Sequence, residues 1–147
     1  MKGKTKMAEY SNTPLQTVDD GSNILFAESP FPCTKGFVYH REGSGVFRLR
    51  GVTNQCRALY KVWFGANIAI PTGGTVGEIS VALTLDGEPL GASEAIVTPT
   101  ATEAFFNASV AAIIPIDRGC CSVIAVENTS DQPIDVQNAN IIIERIA

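Results

Sequence analysis

The sequence has little of what catalytic sites and membrane spans are usually built from. One histidine in 147 residues makes a histidine-rich metal site or a histidine proton relay hard to build. Only 18% of the residues are charged, which argues against a disordered tail or a long coiled coil. No apolar run approaches the ~18 residues of a membrane-spanning helix, and no apolar stretch follows the basic residues 2–6. Neither a membrane span nor a secretory signal is therefore predicted.

Apolar residues, by contrast, make up 45% of a chain whose length suits one domain with a sizeable core. They form short runs separated by turn residues at a spacing of roughly 8–12 positions, which is typical of an all-β sandwich. The predicted strands lie at residues 24–27, 36–41, 46–50, 57–70, 78–86, 94–98, 121–126 and 134–145. The sequence thus predicts an antiparallel all-β fold of about eight to nine strands.

The clearest predicted strand is Glu78–Asp86, in which apolar residues alternate strictly with small or polar ones. This pattern predicts one buried face and one solvated face. The predicted core side consists of Ile79, Val81, Leu83 and Leu85. The predicted solvated side includes Ser80, Ala82 and Thr84. The Asp86-Gly87 dipeptide that follows suits the positive φ angles of a tight hairpin.

Residues 100–112 allow two interpretations. Thr100–Glu103 has the form of a helix capping box, and apolar residues from Phe106 onward fall on one helical face. The later part of this run is rich in β-branched residues and is interrupted by Pro115, so a turn followed by a strand is favoured.

Residues 1–34 are polar and show no period, so we expect an N-terminal arm that anchors a β domain of residues 35–147. The scattered apolar residues of this arm could pair it as an added strand with a partner protein, where main-chain hydrogen bonds supply affinity. The candidate contact residues within the arm are Leu15, Val18, Ile24 and Phe26.

Charge is distributed unevenly along the chain. The net charge is −1 over residues 1–34, +5 over residues 35–61 and −8 over residues 62–147. Solvated strand faces are the ordinary explanation. A sharper hypothesis is a basic surface, including Arg48 and Arg50, that meets an acidic surface on a neighbouring copy or partner. Nucleic acid is a disfavoured partner, because the basic residues form no run and the isoelectric point is near 4.9.

The cysteines follow no zinc-knuckle or C-x-x-C spacing. They are Cys33, Cys56, Cys120 and Cys121. The favoured interpretation is that they are small buried apolar residues in a reduced compartment. A metal site and a single Cys33–Cys56 disulfide are the alternatives, and no metal or cofactor site is predicted.

His40, Glu42 and Ser44 come nearest to a hydrolytic triad. The residues around them match no nucleophile elbow, and a serine between two glycines is typical of a flexible turn, so no catalytic residue is predicted. Trp63, on the longest predicted strand, could stack a sugar ring. Packing in a core or in a subunit contact is the commoner role of such an aromatic side chain, so Trp63 is a candidate contact residue.

Three segments carry a resemblance to a known family: Gly87–Ser93 after the alternating strand, Gly119–Ser130, and the terminal strand Asn140–Ala147. Their turns and alternation resemble the bacterial and phage branch of the tumour-necrosis-factor/complement-like jelly rolls, including the C-terminal domains of collagen-like spore-surface glycoproteins. The match is good over residues 78–147, looser over 36–77 and absent before that. The chain also resembles short proteins encoded among the structural genes of phages that infect gut Firmicutes.

This resemblance implies a two-sheet jelly-roll sandwich that assembles as a homotrimer and has no catalytic site and no cofactor. We therefore expect a non-enzymatic virion structural protein, a trimeric head decoration or fibre-like protein assembled in the host bacterial cytoplasm. Its expected partners are its own copies and a capsid or other virion protein, without membrane contact. The alternatives are a trimeric bacterial spore or cell-surface domain and a lectin-like ligand-binding module.

Overall fold

The computed structural model describes residues 7–32 and 36–147, which form eleven β-strands and, within these ranges, no helix. In chain order the strands are β1 (Met7–Asn12), β2 (Gln16–Val18), β3 (Glu28–Phe31), β4 (Val38–Tyr39), β5 (Val46–Gly51), β6 (Arg57–Ala69), β7 (Ile79–Leu85), β8 (Glu88–Val97), β9 (Phe106–Asp117), β10 (Gly119–Asn128) and β11 (Ile134–Arg145). The predicted all-β class is confirmed, with more strands than the eight or nine expected. No helix in the described ranges is long and apolar enough to cross a membrane.

Two antiparallel sheets form the sandwich. The first sheet has the order β3-β1-β11-β6-β9, with β2 also paired to β11. The second sheet has the order β4-β5-β10-β7-β8. In both sheets, strands that are distant in sequence lie side by side. The apolar core fills the space between the two sheets. The predicted two-sheet sandwich is confirmed.

The longest pair, β6 with β9, shows how alternation builds both a core and an outer face. β6 is rich in aromatic and β-branched residues, which suit a pleated and half-buried surface. Its inward side chains are buried: Ala58, Tyr60, Val62, Phe64, Ala66 and Ile68. The residues between them, among them Leu59, Lys61 and Trp63, must then point away from the core.

Strand β7 confirms half of its prediction and corrects the other half. Ile79, Val81 and Leu83 are fully buried, as expected for the core side. Thr84 on the other side is only 3% exposed, although that side was predicted to be solvated. The reason is that β7 lies between β10 and β8, so that Ala125 and Pro89 flank Thr84 on both sides.

The β7–β8 hairpin turns as predicted at Asp86-Gly87, whose φ angles are 51° and 88°. The return strand begins at Glu88 rather than at residue 94, and its register shifts between the pairs formed by Ala82 and Thr84. Ser93 fills this irregularity, since its hydroxyl donates to the Leu90 carbonyl at 2.7 Å.

The predicted N-terminal arm belongs to the sandwich over its described residues. β1 pairs with β11 from Met7 opposite Glu144 to Asn12 opposite Ala139, and its residues Ala8 and Tyr10 are buried in the core. The boundary placed at residue 34 is therefore not the edge of the folded domain. The pairing partner of β1 is at the far end of the sequence, so nothing local marks this segment as a strand.

Two further local predictions have opposite outcomes. The segment 24–27 was expected to be a strand, but it makes only isolated bridges, Asn23 with Glu127 and Phe26 with Ser44. At 100–112 the favoured interpretation is confirmed, because residues 100–103 form a bend and turn and β9 begins at Phe106.

Candidate interaction surfaces

Three of the seven candidate contact residues lie inside the sandwich. The side chains of Val18, Ile24 and Phe26 are buried, and the Phe26 ring packs edge-on against Phe47 with a centroid distance of 5.3 Å. These side chains pack against the two sheets of their own chain and offer no surface to a partner in this structure.

The other four lie outside the core but on different surfaces. Leu15, in the loop between β1 and β2, is 53% exposed. Arg48 and Arg50 are exposed on β5 of the second sheet, whereas Trp63 lies on β6 of the first sheet. The structure therefore separates the candidates into two outward sheet faces and one loop and does not bring them together.

The first of these surfaces is the outward side of β6 and β9. We call it the first-sheet face and define it by Leu59, Trp63, Ala111, Ile113 and Pro115. The strand register places Leu59 opposite Pro115 and Trp63 opposite Ala111. Ile113 is 58% exposed.

One cation and one shallow depression complete the first-sheet face. Lys61 lies opposite Ile113, and its Nζ is 4.8 Å from the centroid of the Trp63 ring. A depression of about 370 Å³ opens beside Trp63, where Gly65 has no side chain to fill it. An exposed strip of aromatic and aliphatic side chains is the kind of surface that the cores of protein interfaces are built from.

The second surface is at the β4–β5 end of the other sheet. Tyr39, Arg41, Val46 and Arg48 surround a cavity of about 170 Å³, together with Ser44 and Val123. Exposed tyrosine and arginine side chains beside aliphatic ones are the composition that interface hot spots favour. Alternation could have found Arg48, but nothing in the sequence placed Tyr39 beside it.

A larger polar cavity of about 680 Å³ lies at the opposite end of the second sheet. Its lining includes three carboxylates, Glu78, Glu94 and Asp131. Hydroxyl groups line the cavity floor, where Ser80 and Thr129 share a hydrogen bond of 2.7 Å and Thr129 donates to Glu94 at 3.2 Å. Sequence reasoning missed this cavity, because its walls come from three separate loops and strands.

The His40 ring contacts an aromatic side chain and two main-chain carbonyls of its own chain. It stacks on Phe47 with a centroid distance of 4.1 Å. Its two nitrogens lie 2.9 Å from the Val46 carbonyl and 3.0 Å from the Phe26 carbonyl. The Ser44 hydroxyl accepts a hydrogen bond from the Val46 amide. Both ring nitrogens of His40 thus face main-chain carbonyls rather than the Ser44 hydroxyl.

Two cysteines are described, and neither is a small buried thiol of the predicted kind. Cys56 has a free thiol and is exposed, so the alternative Cys33–Cys56 disulfide is wrong. Cys121 is disulfide-bonded. Cys33 and the side chain of Cys120 lie outside the described part. Within that part, no group of three or more His, Cys, Asp or Glu residues could hold a metal ion.

Among the described residues, one carboxylate has a shifted pKa, and it lies in β3 near the start of the chain rather than in a cavity. The Ser11 hydroxyl donates to Glu28 at 2.8 Å, and Thr13 donates through its hydroxyl and its amide. These hydrogen bonds stabilise the charged form and hold the pKa of Glu28 below its usual value. The role of this group is therefore to connect β1 to β3.

No protein-family model matches the chain, and no curated protein matches its sequence. Solved structures do match the fold. Eiger TNF from S. frugiperda has a TM-score of 0.70 at 15% identity, over 99% of this chain and 94% of that chain. Murine APRIL has a TM-score of 0.64 at 10% identity, over 95% of this chain and 99% of that chain. The globular domain of zebrafish complement 1qA has a TM-score of 0.62 at 10% identity, over 96% of this chain and 95% of that chain.

These similarities confirm the predicted TNF/C1q-like jelly roll, and residues 7–32 of the predicted arm are part of it. At such identities the likeness establishes the fold alone, because one fold hosts many functions.

Proposed function

We propose that the chain is a non-enzymatic structural protein that works as a homotrimer, with the first-sheet face as its self-association surface. The observation that carries this proposal is the exposed apolar strip on β6 and β9. The trimer is what the resemblance to TNF/complement-like jelly rolls implies.

The argument for a covered first-sheet face is energetic. Burying apolar surface contributes about 25 cal/mol per Å², and monomers rarely leave large contiguous apolar patches in water. Trp63, Ile113 and Pro115 lie on adjacent paired strands, so a partner would cover all of them at once. The Lys61 ammonium lies 4.8 Å from the Trp63 ring centroid, and this cation–π contact would offset part of the cost of covering its charge.

The proposed setting is the surface of a phage virion, as a head decoration or fibre-like protein. Support for this setting comes from the resemblance to proteins encoded among phage structural genes. Because residues 7–32 are part of the sandwich, attachment to a capsid protein would use an outward face rather than a separate arm. The alternative setting is a bacterial spore or cell surface, where the protein would also work as a trimer.

The test is the mass of the protein in solution. Sedimentation equilibrium at micromolar concentration should give three times the chain mass of 15.6 kDa. Ile113→Asp, which puts an unpaired charge on the first-sheet face, should shift this species to a single chain that keeps the β-sheet circular dichroism spectrum of the wild type. Ile96→Asp is the matched control, since Ile96 is 52% exposed on the second sheet and should leave the trimer intact.

A wild-type protein that stays a monomer at all concentrations would overturn the trimer. If Ile113→Asp stayed trimeric while Ile96→Asp dissociated, self-association would belong to the second sheet instead.

One observation favours a second candidate, a lectin-like function. The polar cavity of about 680 Å³ offers the hydroxyls and carboxylates that sugar hydroxyls bind. A ligand that binds only the folded state raises its stability, so a panel of free sugars should raise the melting temperature if this function is real. No shift with any sugar counts against it.

A further inference from the structure

The outward face of the second sheet is electrically polarised. At its β4–β5 end, Arg41 and Arg48 are exposed beside Tyr39, which is 62% exposed. Tyr39 lies opposite Arg48, and Arg48 lies opposite Val123 in the strand register. One end of this face is therefore basic. We call these three residues, Tyr39, Arg41 and Arg48, the basic corner.

The other part of the same face is acidic. Glu127 on β10 pairs with Ala82, and Ala82 pairs with Glu94 on β8, so the two carboxylates flank one small residue. Glu78 and Asp131 extend this acidic area around the polar cavity. We call Glu94 and Glu127 the acidic pair.

Neither set of charges is neutralised within the chain. Among the described residues the ion pair is Arg57 with Asp117, on the first sheet, at 3.5 Å. In this part of the chain, the basic corner and the acidic pair have no ion-pair partner. Arg48 lies opposite Val123 on the adjacent strand, and Glu127 is four residues farther along that strand, or about 13 Å at 3.3 Å per residue. This offset along the strands keeps the basic corner and the acidic pair apart within one copy.

The middle of the face is built from small side chains. Its residues are small, with Ala82, Thr84 and Ala125 nearly covered by their neighbours. Thr84 pairs with Ala125, and Ala125 pairs with Val46, so a flat row of small side chains crosses the sheet between the charged ends. Because these small side chains are already covered within their own chain, a second copy would contact the exposed side chains around them, such as Val46 and Ile96, which are 41% and 52% exposed.

We propose that this face is a second self-association surface, on which two copies lie face to face so that the basic corner of each meets the acidic pair of the other. A two-fold contact makes both charge contacts at once, because each copy contributes the same patch. The cavity of about 170 Å³ beside Tyr39 and Arg48 provides room for a partner carboxylate. This contact goes beyond the proposed trimer and does not depend on it.

The size of the face predicts a weak and salt-sensitive contact. Five strands at about 4.8 Å spacing and roughly five residues of 3.3 Å rise cover about 400 Å² per copy. Stable interfaces bury about 800 Å² per partner. Pairing between single chains should therefore be weak, strongest at low salt, and weaker when salt screens the charges.

The experiment uses the Ile113→Asp chain, so that the first-sheet face does not contribute. Sedimentation velocity at about 0.01 M salt, where charges still interact over ~30 Å, should show a two-chain species. This species should dissociate at about 1 M salt, where charges interact over only ~3 Å. If the trimer proposal fails, the wild-type and Ile113→Asp chains are both monomers at moderate salt, and the salt-dependent pairing of Ile113→Asp can still be measured. Failure of one proposal is thus distinguishable from failure of the other.

Charge reversal then tests which residues meet. In the Ile113→Asp chain, Arg41→Glu with Arg48→Glu should abolish the pair, as should Glu94→Arg with Glu127→Arg. An equal mixture of these two chains should restore a two-chain species, because every contact then joins opposite charges. Arg118→Glu, in the turn between β9 and β10, is the matched control and should leave pairing unchanged.

The proposal is overturned if the Ile113→Asp chain stays a monomer at low salt, if either reversed chain still pairs alone, or if the mixture does not pair. Arg48→Gln and Glu94→Gln provide a milder version in case a reversed chain does not fold. Each should lower the low-salt association constant several-fold, and an unchanged constant for both contradicts the proposal.

Discussion

The N-terminal segment 7–32 and strand β7 of the second sheet differ in how well the local sequence pattern predicts their place in the fold. β7 alternates strictly, and its core side was identified correctly from that alternation alone. The segment 7–32 has no period, yet it contributes three strands and buries Tyr10, Ile24 and Phe26. Alternation therefore reports which side of a strand is apolar, but its absence does not place a segment outside the fold.

The same two regions also differ in what covers them. The outer side of β7 is buried because strands on both flanks cover its small side chains. β1 and β2 are held by β11, which begins more than 100 residues later in the chain. In both cases burial is decided by neighbours that are remote in sequence.

Deleting residues 1–20 is the change with the largest expected effect. It removes β1 and β2 and uncovers Ile141 and Ile143, which pair with Tyr10 and Ala8. Truncating one large buried aromatic typically costs about 3–5 kcal/mol, so the deletion should lower the free energy of unfolding by at least that amount. Urea unfolding followed by circular dichroism would measure it. An unchanged urea midpoint would contradict this prediction and indicate that these residues form a separate arm.

Two point substitutions make a matched control for that deletion. Phe26→Ala should cost about 3–5 kcal/mol because it leaves a cavity in the core. Leu15→Ala, at an exposed position in the same segment, should cost less than about 0.5 kcal/mol. Equal effects of the two would mean that the segment is not ordered as described.

Strand β7 provides the second prediction. Leu83→Asp places an unpaired charge in the core and should cost several kcal/mol. Thr84→Asp should cost about 1–3 kcal/mol, because its side is covered rather than solvated. Thermal unfolding of both variants gives the comparison, with Thr84→Val as a control of nearly equal volume. A cost below ~0.5 kcal/mol for Thr84→Asp would show that water reaches this side after all.

The smallest expected effect is at Glu28. Ser11→Ala removes the hydrogen bond that contributes most to lowering the pKa of Glu28, so that pKa should rise toward its usual value. A carboxylate with a lowered pKa in the folded state stabilises the protein above its unfolded-state pKa, and this stabilisation is lost as the pH falls through the folded-state pKa. An NMR titration of the carboxyl carbon measures the shift. Thr84→Val, distant from β1, should leave this pKa unchanged.

Much of the second half of the fold could be predicted, since its signals are local. Asp86-Gly87 indicated a hairpin from two residues, and the β-branched residues before Pro115 favoured a strand, now β9, over a helix. The candidate surfaces were harder to predict. Arg48 was expected on a basic surface, and Trp63 was expected in a core or a subunit contact. Only the strands that pair beside Ile113 and Tyr39 show that these two side chains belong to the candidate surfaces.

The sequence by itself determined the all-β class, the core side of β7 and the position of its hairpin, because alternation and turn chemistry act over a few residues. Only the tertiary structure decided that residues 7–32 belong to the sandwich, that the outer side of β7 is covered, and that basic and acidic side chains share one sheet face. The physical reason is that main-chain pairing between distant strands sets each of these features. A strand carries no local mark of which strand it will pair with.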